Sequence, residues 1–225
     1  MTKKQICNYK YRPHRFLKPV RSFVLVFCIV FSYFGNSQNI LTKSIDATAI
    51  ETISIQGNQI FNISVVTSKT NLIDITSTLD GEYQSKYQII TEEKNNKLTL
   101  RLEFMSFEDI PDNKRNAHKV IAATLHLKIP ENLNLSIHSD IGSTDVIGNF
   151  NMLSIELLQG YCNVNGLAKN GIINTIDGNI SVVTKDGKII ASSKNGEVVK
   201  DNFNPSQSLW NLKSINGDIT VAKKE

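Results

Sequence analysis

The sequence predicts an all-β protein built around a right-handed parallel β-solenoid with about 18 residues per coil, capped by an irregular N-terminal β region. Three observations predict this fold. A short glycine-containing phrase recurs at a nearly constant interval, apolar residues alternate with polar ones, and no long stretch has the apolar spacing of a helix. Stacked strands need this combination, because alternate side chains point to one face and each coil covers its neighbour.

The repeat runs from Leu133 to Val221. Its clearest copies are Ile-Asp-Gly-Asn-Ile-Ser-Val at 176–182 and Ile-Asn-Gly-Asp-Ile-Thr-Val at 215–221. Glycines at 142, 160, 178 and 196 follow at intervals of 18 residues, and the last interval, to Gly217, is 21 residues, with an insertion near Asn204. We therefore expect residues 131–225 to form the solenoid repeats.

Superposing the chain on itself at this period aligns four apolar columns, which we predict to form one continuous core. The columns are Leu135/Leu153/Ile189/Trp210, Ile137/Ile155/Ile173/Ala191/Leu212, Thr144/Cys162/Ile180/Val198/Ile219 and Val146/Val164/Val182/Val221. Lys200 occupies a Val position in the last column, so we expect a distorted coil there.

The corners of such a coil require residues that tolerate positive φ, and the sequence supplies Asn-Gly and Asp-Gly pairs, among them Asp177-Gly178. We predict positive φ at Gly178. Each pair alone is also typical of a hairpin, which leaves an antiparallel meander as the structural alternative. A left-handed helix with an apolar residue at every sixth position is a second alternative, but Asn170, Lys188 and Lys194 break that phase.

Residues 1–37 read as a signal peptide. Seven Lys or Arg and no acid precede the apolar run Phe23–Phe31, which is shorter than the roughly 20 residues that span a bilayer as a helix. Small residues at Gly35 and Ser37 favour cleavage after Ser37, and an uncleaved anchor is the alternative. Cleavage changes the net charge from +4 to −3, which removes the main argument for nucleic-acid binding. It also leaves Cys162 as the only cysteine.

Residues 38–130 also alternate at period two, in short runs that are unequally spaced. Glu108–Lys119 is predicted to be an exposed loop. No linker sequence separates this region from the repeats, so we expect a β region that is continuous with the solenoid and caps it.

With these phrases in place, the chain resembles a bacterial family of β-strand-repeat proteins known as putative adhesins, similar to the head-domain, autotransporter-adhesin-like proteins of Bacteroidota. The resemblance covers the secretion signal, the early Ile-x-Ile strands, the segment Leu125–Pro130 and the Gly-x-Ile-x-Val coils. It implies an adhesive role and carries no catalytic or ligand residues.

The residues offer no catalytic constellation, metal site or cofactor site. The columns beside the glycines hold scattered acids, Asp177 before them and Glu197 and Asp218 after them, which is ordinary for solvated corners. His118, His126 and His138 lack ligand spacing and are predicted to be surface residues. Cys162 is predicted to be a small buried hydrophobe, Trp210 to close the end of the core, and Tyr161 to be a surface aromatic.

We therefore predict a secreted, non-enzymatic interaction module of the periplasm or cell surface, with an unknown protein or glycan partner and no nucleic acid. The first alternative is a polysaccharide-active β-helix enzyme, which a row of aligned carboxylates would favour. The second is an envelope-stress accessory protein without adhesive activity.

Overall fold

The computed structural model describes residues 39–80, 87–105, 122–204 and 206–224. Residues 38–225 form one compact unit. The predicted signal peptide, the predicted loop at Glu108–Lys119 and His118 lie outside the described residues. The described part contains fifteen strands and no helix, so the predicted all-β class is confirmed, and it offers no helical segment able to cross a bilayer.

The strands fall in chain order along the described residues. They are β1 (Asn39–Asp46), β2 (Thr52–Gln56), β3 (Ile60–Ser68), β4 (Leu72–Asp80), β5 (Tyr87–Lys94), β6 (Lys97–Phe104), β7 (Ala122–Pro130), β8 (Asn134–Ile141), β9 (Ser143–Gln159), β10 (Cys162–Asp177), β11 (Ile180–Thr184), β12 (Lys188–Ser193), β13 (Val198–Lys200), β14 (Leu209–Ser214) and β15 (Ile219–Lys223).

Parallel pairing arranges most of these strands in two groups, which we call the first and second faces. The first face has the order β6-β2-β8-β9-β10-β14-β12 and uses the C-terminal halves of β9 and β10. The second has the order β7-β3-β9-β10-β11-β15-β13 and uses their N-terminal halves. Antiparallel strands complete the N-terminal end, where β5 pairs with β6, and β4 pairs with both β7 and β1. The parallel pairing excludes an antiparallel meander for the repeat.

The predicted apolar columns are confirmed in register. Cys162 lies opposite Thr144 on one side and Ile180 on the other, which is a shift of 18 residues each way. Ile155 and Ile173 are paired and fully buried, and Val164, Ile180 and Val182 of the second face belong to the same hydrophobic core. Val198 keeps its column but is 39% exposed and is not part of this core. The core columns also continue into the N-terminal region, where Ile53 pairs with both Leu98 and Leu135.

We call each strand of a face a rung. At the C-terminal end, the order of the rungs in space differs from their order along the chain. Strand β15 pairs with β11 through Ile180 and Ile219, and β13 pairs only on the far side of β15, through Val198. In the same way β14 lies between β10 and β12. The last stretch of chain is therefore inserted between two earlier rungs, whereas we expected each coil to stack on its sequence neighbour.

This insertion corrects the prediction of a distorted coil at Lys200. Lys200 pairs with Val221 in regular register, but it lies on the outermost strand of the second face, where no further described strand covers its inward position. Its side chain is exposed, and Nζ lies 3.5 Å from the carbonyl oxygen of Ile189. A charged residue is tolerated in this column because the position is solvated.

The structure also corrects the prediction about the backbone of Gly178, which lies at the corner of the coil. The glycines with positive φ among the described residues are Gly148, Gly160 and Gly187, so the predicted positive φ at Gly178 is wrong. Gly178 is needed for a different reason, since a Cβ there would overlap the carbonyl oxygen of Gly160 on the neighbouring rung. A Cβ at Gly217 would overlap the carbonyl oxygen of Gly178 in the same way. The glycines stack directly on one another, and the spacing between rungs leaves no room for a side chain.

Candidate functional site

A ladder of polar side chains lines the corner on either side of the stacked glycines. In the column before them, the Asn216 amide donates to Oδ1 of Asp177, and the Asn195 amide donates to Oδ1 of Asn216 at 2.6 Å. In the column after them, the backbone N–H of Asp218 donates to Oδ1 of Asn179 at 2.9 Å. These bonds join three successive rungs and hold exposed side chains in a fixed array.

Two acids of this corner accept hydrogen bonds within the ladder. Asp177 has Gln159 and Asn216 as its neighbours in the column, and its Oδ1 accepts the Asn216 amide. Oδ1 of Asp218 accepts the backbone N–H of Glu197 at 2.8 Å. The aligned carboxylates in the column after the glycines are those of Asp218 and Glu197, which directly precede the adjacent strands β15 and β13.

Inward hydroxyl groups next to the corner form hydrogen bonds with the backbone of the stacked glycines. The Ser214 hydroxyl accepts the N–H of Gly217 at 2.8 Å, and the Thr175 hydroxyl donates to the carbonyl oxygen of Gly178 at 2.7 Å. Thr175 and Ser214 also bond each other at 3.0 Å across the two rungs. This second ladder explains how polar residues are accommodated inside the stack, since buried polar groups need partners, and it stiffens the corner from within.

A tyrosine patch lies on the second face, where three side chains meet on adjacent rungs. Tyr161 is 44% exposed, and its hydroxyl lies 3.4 Å from Oδ2 of Asp145. The Asn163 amide donates to Oδ1 of the same carboxylate at 2.9 Å. The negative charge of Asp145 raises the pKa of the Tyr161 phenol. Tyr161 is thus a surface aromatic as predicted, but the sequence reading missed Asp145 as its anchor, although Asp145 and Asn163 share the 18-residue spacing.

A shallow groove of about 560 Å³ lies on the first face, on the opposite side of the core. Its floor includes Leu158, Ile176 and Ile215, which are about 40% exposed each. Glu156 and His138 line one end, and Lys213 and Lys194 line the other. The groove was not predicted from the sequence, because the prediction used only the inward columns. Leu158 and Ile176, two outward apolar residues 18 positions apart, could have indicated it.

Neither described histidine forms a metal site. His138 is half-exposed, with Nδ1 at 3.5 Å from Oε2 of Glu156 and Nε2 at 3.9 Å from Oδ1 of Asp140. His126 is exposed on β7. In the ranges that the structure describes, no group of three or more His, Cys, Asp or Glu side chains is arranged to hold a metal ion. Both histidines are surface residues, as predicted.

Cys162 and Trp210 are core residues. Cys162 is fully buried as a free thiol, and burial raises its pKa from 9.0 to about 12, which opposes a role as a nucleophile. Trp210 is also fully buried and is not available for stacking on a sugar. It fills the predicted column, but it lies between Gly171 and Ile189 rather than at the end of the stack.

Solved structures with a similar fold exist. No protein-family model matches the sequence, and no curated protein matches it. The fold is similar to that of a putative cell adhesion protein from Clostridium sporogenes, with a TM-score of 0.60 and 15% identity over 84% of this chain and 100% of that chain. A putative adhesin from Bacteroides fragilis is matched at a TM-score of 0.37 and 12% identity, over 83% of this chain and 97% of that chain. The resemblance to putative adhesins is thus confirmed at the level of the fold.

Proposed function

We propose that this chain is a non-enzymatic, adhesin-like interaction module that acts outside the cytoplasm. In this proposal residues 1–37 are a signal peptide, and the mature chain is a right-handed parallel β-solenoid with about 18 residues per coil. Residues 38–130 continue into the repeats at 131–225 and cap them. The likeness of fold to the putative cell adhesion protein from Clostridium sporogenes supports the proposal, as does the secretion signal predicted from the sequence.

One observation carries the proposal: outward polar side chains on successive rungs are fixed to one another rather than gathered round a cleft. Asp177, Asn216 and Asn195 form one such line, and the tyrosine patch forms another. Side chains that are already ordered lose little entropy when a partner binds. A flat array of this kind suits a partner that lies across several rungs, which is how extended repeat proteins bind.

We expect single contacts with this surface to be weak. Tight interfaces are normally anchored by buried aromatic and arginine side chains, and the sequence from Leu133 to Val221 contains no arginine. Display of many copies compensates for weak contacts, since linked sites raise avidity without new contacts. The partner in this proposal is a glycan or protein surface that accepts hydrogen bonds from the remaining amide protons of the Asn side chains and donates hydrogen bonds to the Tyr161 and Asp145 oxygens.

The test is a glycan and extracellular-matrix array probed with residues 38–225, first as free protein and then displayed on beads. We expect signals only from the displayed form, reduced by Tyr161→Ala and by Asn163→Ala. Leu72→Ala is the matched control, because Leu72 is 47% exposed, close to the 44% of Tyr161, and lies on β4, which pairs with neither β9 nor β10. Tight, saturable binding of one small molecule by the free protein would overturn the proposal and favour an enzyme.

A further inference from the structure

Five outward side chains cross five neighbouring rungs of the first face and form a line with charge at its two ends. In spatial order they are Asp140, Leu158, Ile176, Ile215 and Lys194, placed by the strand registers on either side of them. The three central members, which we call the apolar stripe, are 42%, 40% and 41% exposed. An acid therefore lies at one end of the apolar stripe and a base lies at the other.

The neighbouring column, two residues earlier on each strand, also has an acid on one side of its centre and a base on the other. Its members are His138, Glu156, Asn174, Lys213 and Ser192. Glu156 lies one rung to one side of Asn174, and Lys213 lies one rung to the other side. In both columns the side-chain charge is negative on one side of the central rung and positive on the other. This central rung carries Asn174 and Ile176.

We propose that a second copy of this chain docks on this face, through a two-fold axis that runs along the strands at the level of the central rung. Such an axis brings the two faces together and reverses the order of the rungs, so each column meets itself in the opposite sense. Glu156 then lies opposite Lys213 of the partner subunit, and Asp140 lies opposite Lys194 of the partner subunit. Ile176 meets its own copy, and Leu158 meets Ile215 of the partner subunit.

The charge pattern is what selects a second copy as the occupant. A surface that changes sign about its centre is complementary to itself under this reversal, and the pattern occurs in two columns about the same rung. A polymer of uniform negative charge would meet Glu156 and Asp140 at one end, and like charges brought together oppose binding. A purely apolar ligand would bring no negative charge to Lys213 and Lys194.

The area of the proposed interface indicates how tightly the two copies should bind. Three strand segments of eight residues and two of six, about 4.8 Å apart and about 3.3 Å per residue, give roughly 570 Å² on each copy. The total of about 1,100 Å² lies just below the range of stable specific interfaces. We therefore expect a weak dimer that forms as the protein concentration rises. This inference does not rest on the proposed function, which uses the corner and the second face.

The test is sedimentation equilibrium of residues 38–225, the compact unit that holds the whole described core, over a wide range of concentration. Wild type should pass from monomer to dimer. Ile176→Lys places like charges across the axis and should weaken the dimer at least about tenfold. Ile147→Lys is the control, because Ile147 is also exposed but lies on the second face, and it should dimerise like wild type.

Charge reversal gives the sharper arm of the test. Glu156→Lys and Lys213→Glu should each weaken dimerisation, whereas an equal mixture of the two variants should form a heterodimer in which both pairs are again opposite in charge. Combining both changes in one chain should restore the homodimer. A wild type that stays monomeric, or single variants that dimerise as well as wild type, would overturn the proposal. Failure of the mixture to recover would also overturn it, because the pairing would then be wrong.

Discussion

Trp210 occupies the space beside Gly171 that a side chain would otherwise fill. The two residues lie opposite each other on β14 and β10, and a Cβ at position 171 would stand 2.8 Å from Cδ2 of Trp210 and closer still to Cε3. The residues are 39 positions apart in the chain, yet they are complementary in size, since the largest side chain of the core is matched by the smallest residue. This relationship gives the first prediction.

Gly171→Ala should destabilise the fold by about 1–3 kcal/mol, because the added methyl group overpacks a fully buried site. Trp210→Leu should also destabilise it, by leaving a cavity over Gly171. The double variant should cost less than the sum of the two single costs, because the smaller leucine leaves room for the methyl group. Urea unfolding of the four proteins measures this coupling, and strictly additive costs would contradict the packing.

The second prediction concerns the centre of the core. Ile173 is fully buried between Ile155 and Leu212, so Ile173→Ala should cost about 2–5 kcal/mol of unfolding free energy. Ile147→Ala on β9 is the matched control, because its side chain is 51% exposed and lies on the second face. It should cost no more than about 0.5 kcal/mol. A loss of that small size at Ile173 would show that the register is wrong.

The third prediction separates the two reasons for a corner glycine. Gly178→Ala should be strongly destabilising although its φ is not positive, because the methyl group would overlap the carbonyl oxygen of Gly160 and force the rungs apart. Asn179→Ala should cost only about 1 kcal/mol, the usual net value of the hydrogen bond that Asn179 accepts from Asp218. Thermal unfolding compares the two variants, and equal shifts would contradict the stacked-glycine geometry.

The inward columns could be predicted from the sequence, because burial on one face and strand pairing at a fixed interval impose the same residue types at the same spacing. The order of the rungs could not be predicted in this way. Every rung presents similar inward residues, so exchanging the rungs of Gly196 and Gly217 leaves the columns unchanged. Two residues did carry the missing information: Lys200 needs solvent and so belongs on an outermost rung, and Trp210 needs a small neighbour, which Gly171 provides.

The corner and the surface were harder to predict for a different reason. A glycine is required both where φ is positive and where another backbone approaches closely, and the sequence does not distinguish Gly160, which has positive φ, from Gly178, which does not. Outward positions are free to vary, so the Asp145 anchor is not marked by a repeated residue type. The apolar stripe is marked only by Leu158 and Ile176 at the 18-residue spacing, and Ile215 joins them only once the register places its strand beside that of Ile176.

The last prediction concerns the buried thiol of Cys162. Burial raises its pKa from 9.0 to about 12, so the folded chain keeps the thiol proton at pH values where the unfolded chain loses it. The unfolded state binds fewer protons in this window, and stability must therefore fall as pH rises from about 9 towards 12, by up to about 1.4 kcal/mol per pH unit. Well below pH 9 the thiol is protonated in both states, so its ionisation should not change how stability depends on pH.

The measurement compares the unfolding free energy of wild type and Cys162→Val at a pH near 8 and a pH above 10. Valine suits this site because the column places the residue between Thr144 and Ile180. The difference between the two proteins should grow with pH in favour of valine, since both share every other titrating group. The native thiol should also resist alkylation near neutral pH and react on unfolding. Rapid alkylation of the folded protein, or a difference that does not change with pH, would show that Cys162 is accessible and ionisable in the folded state.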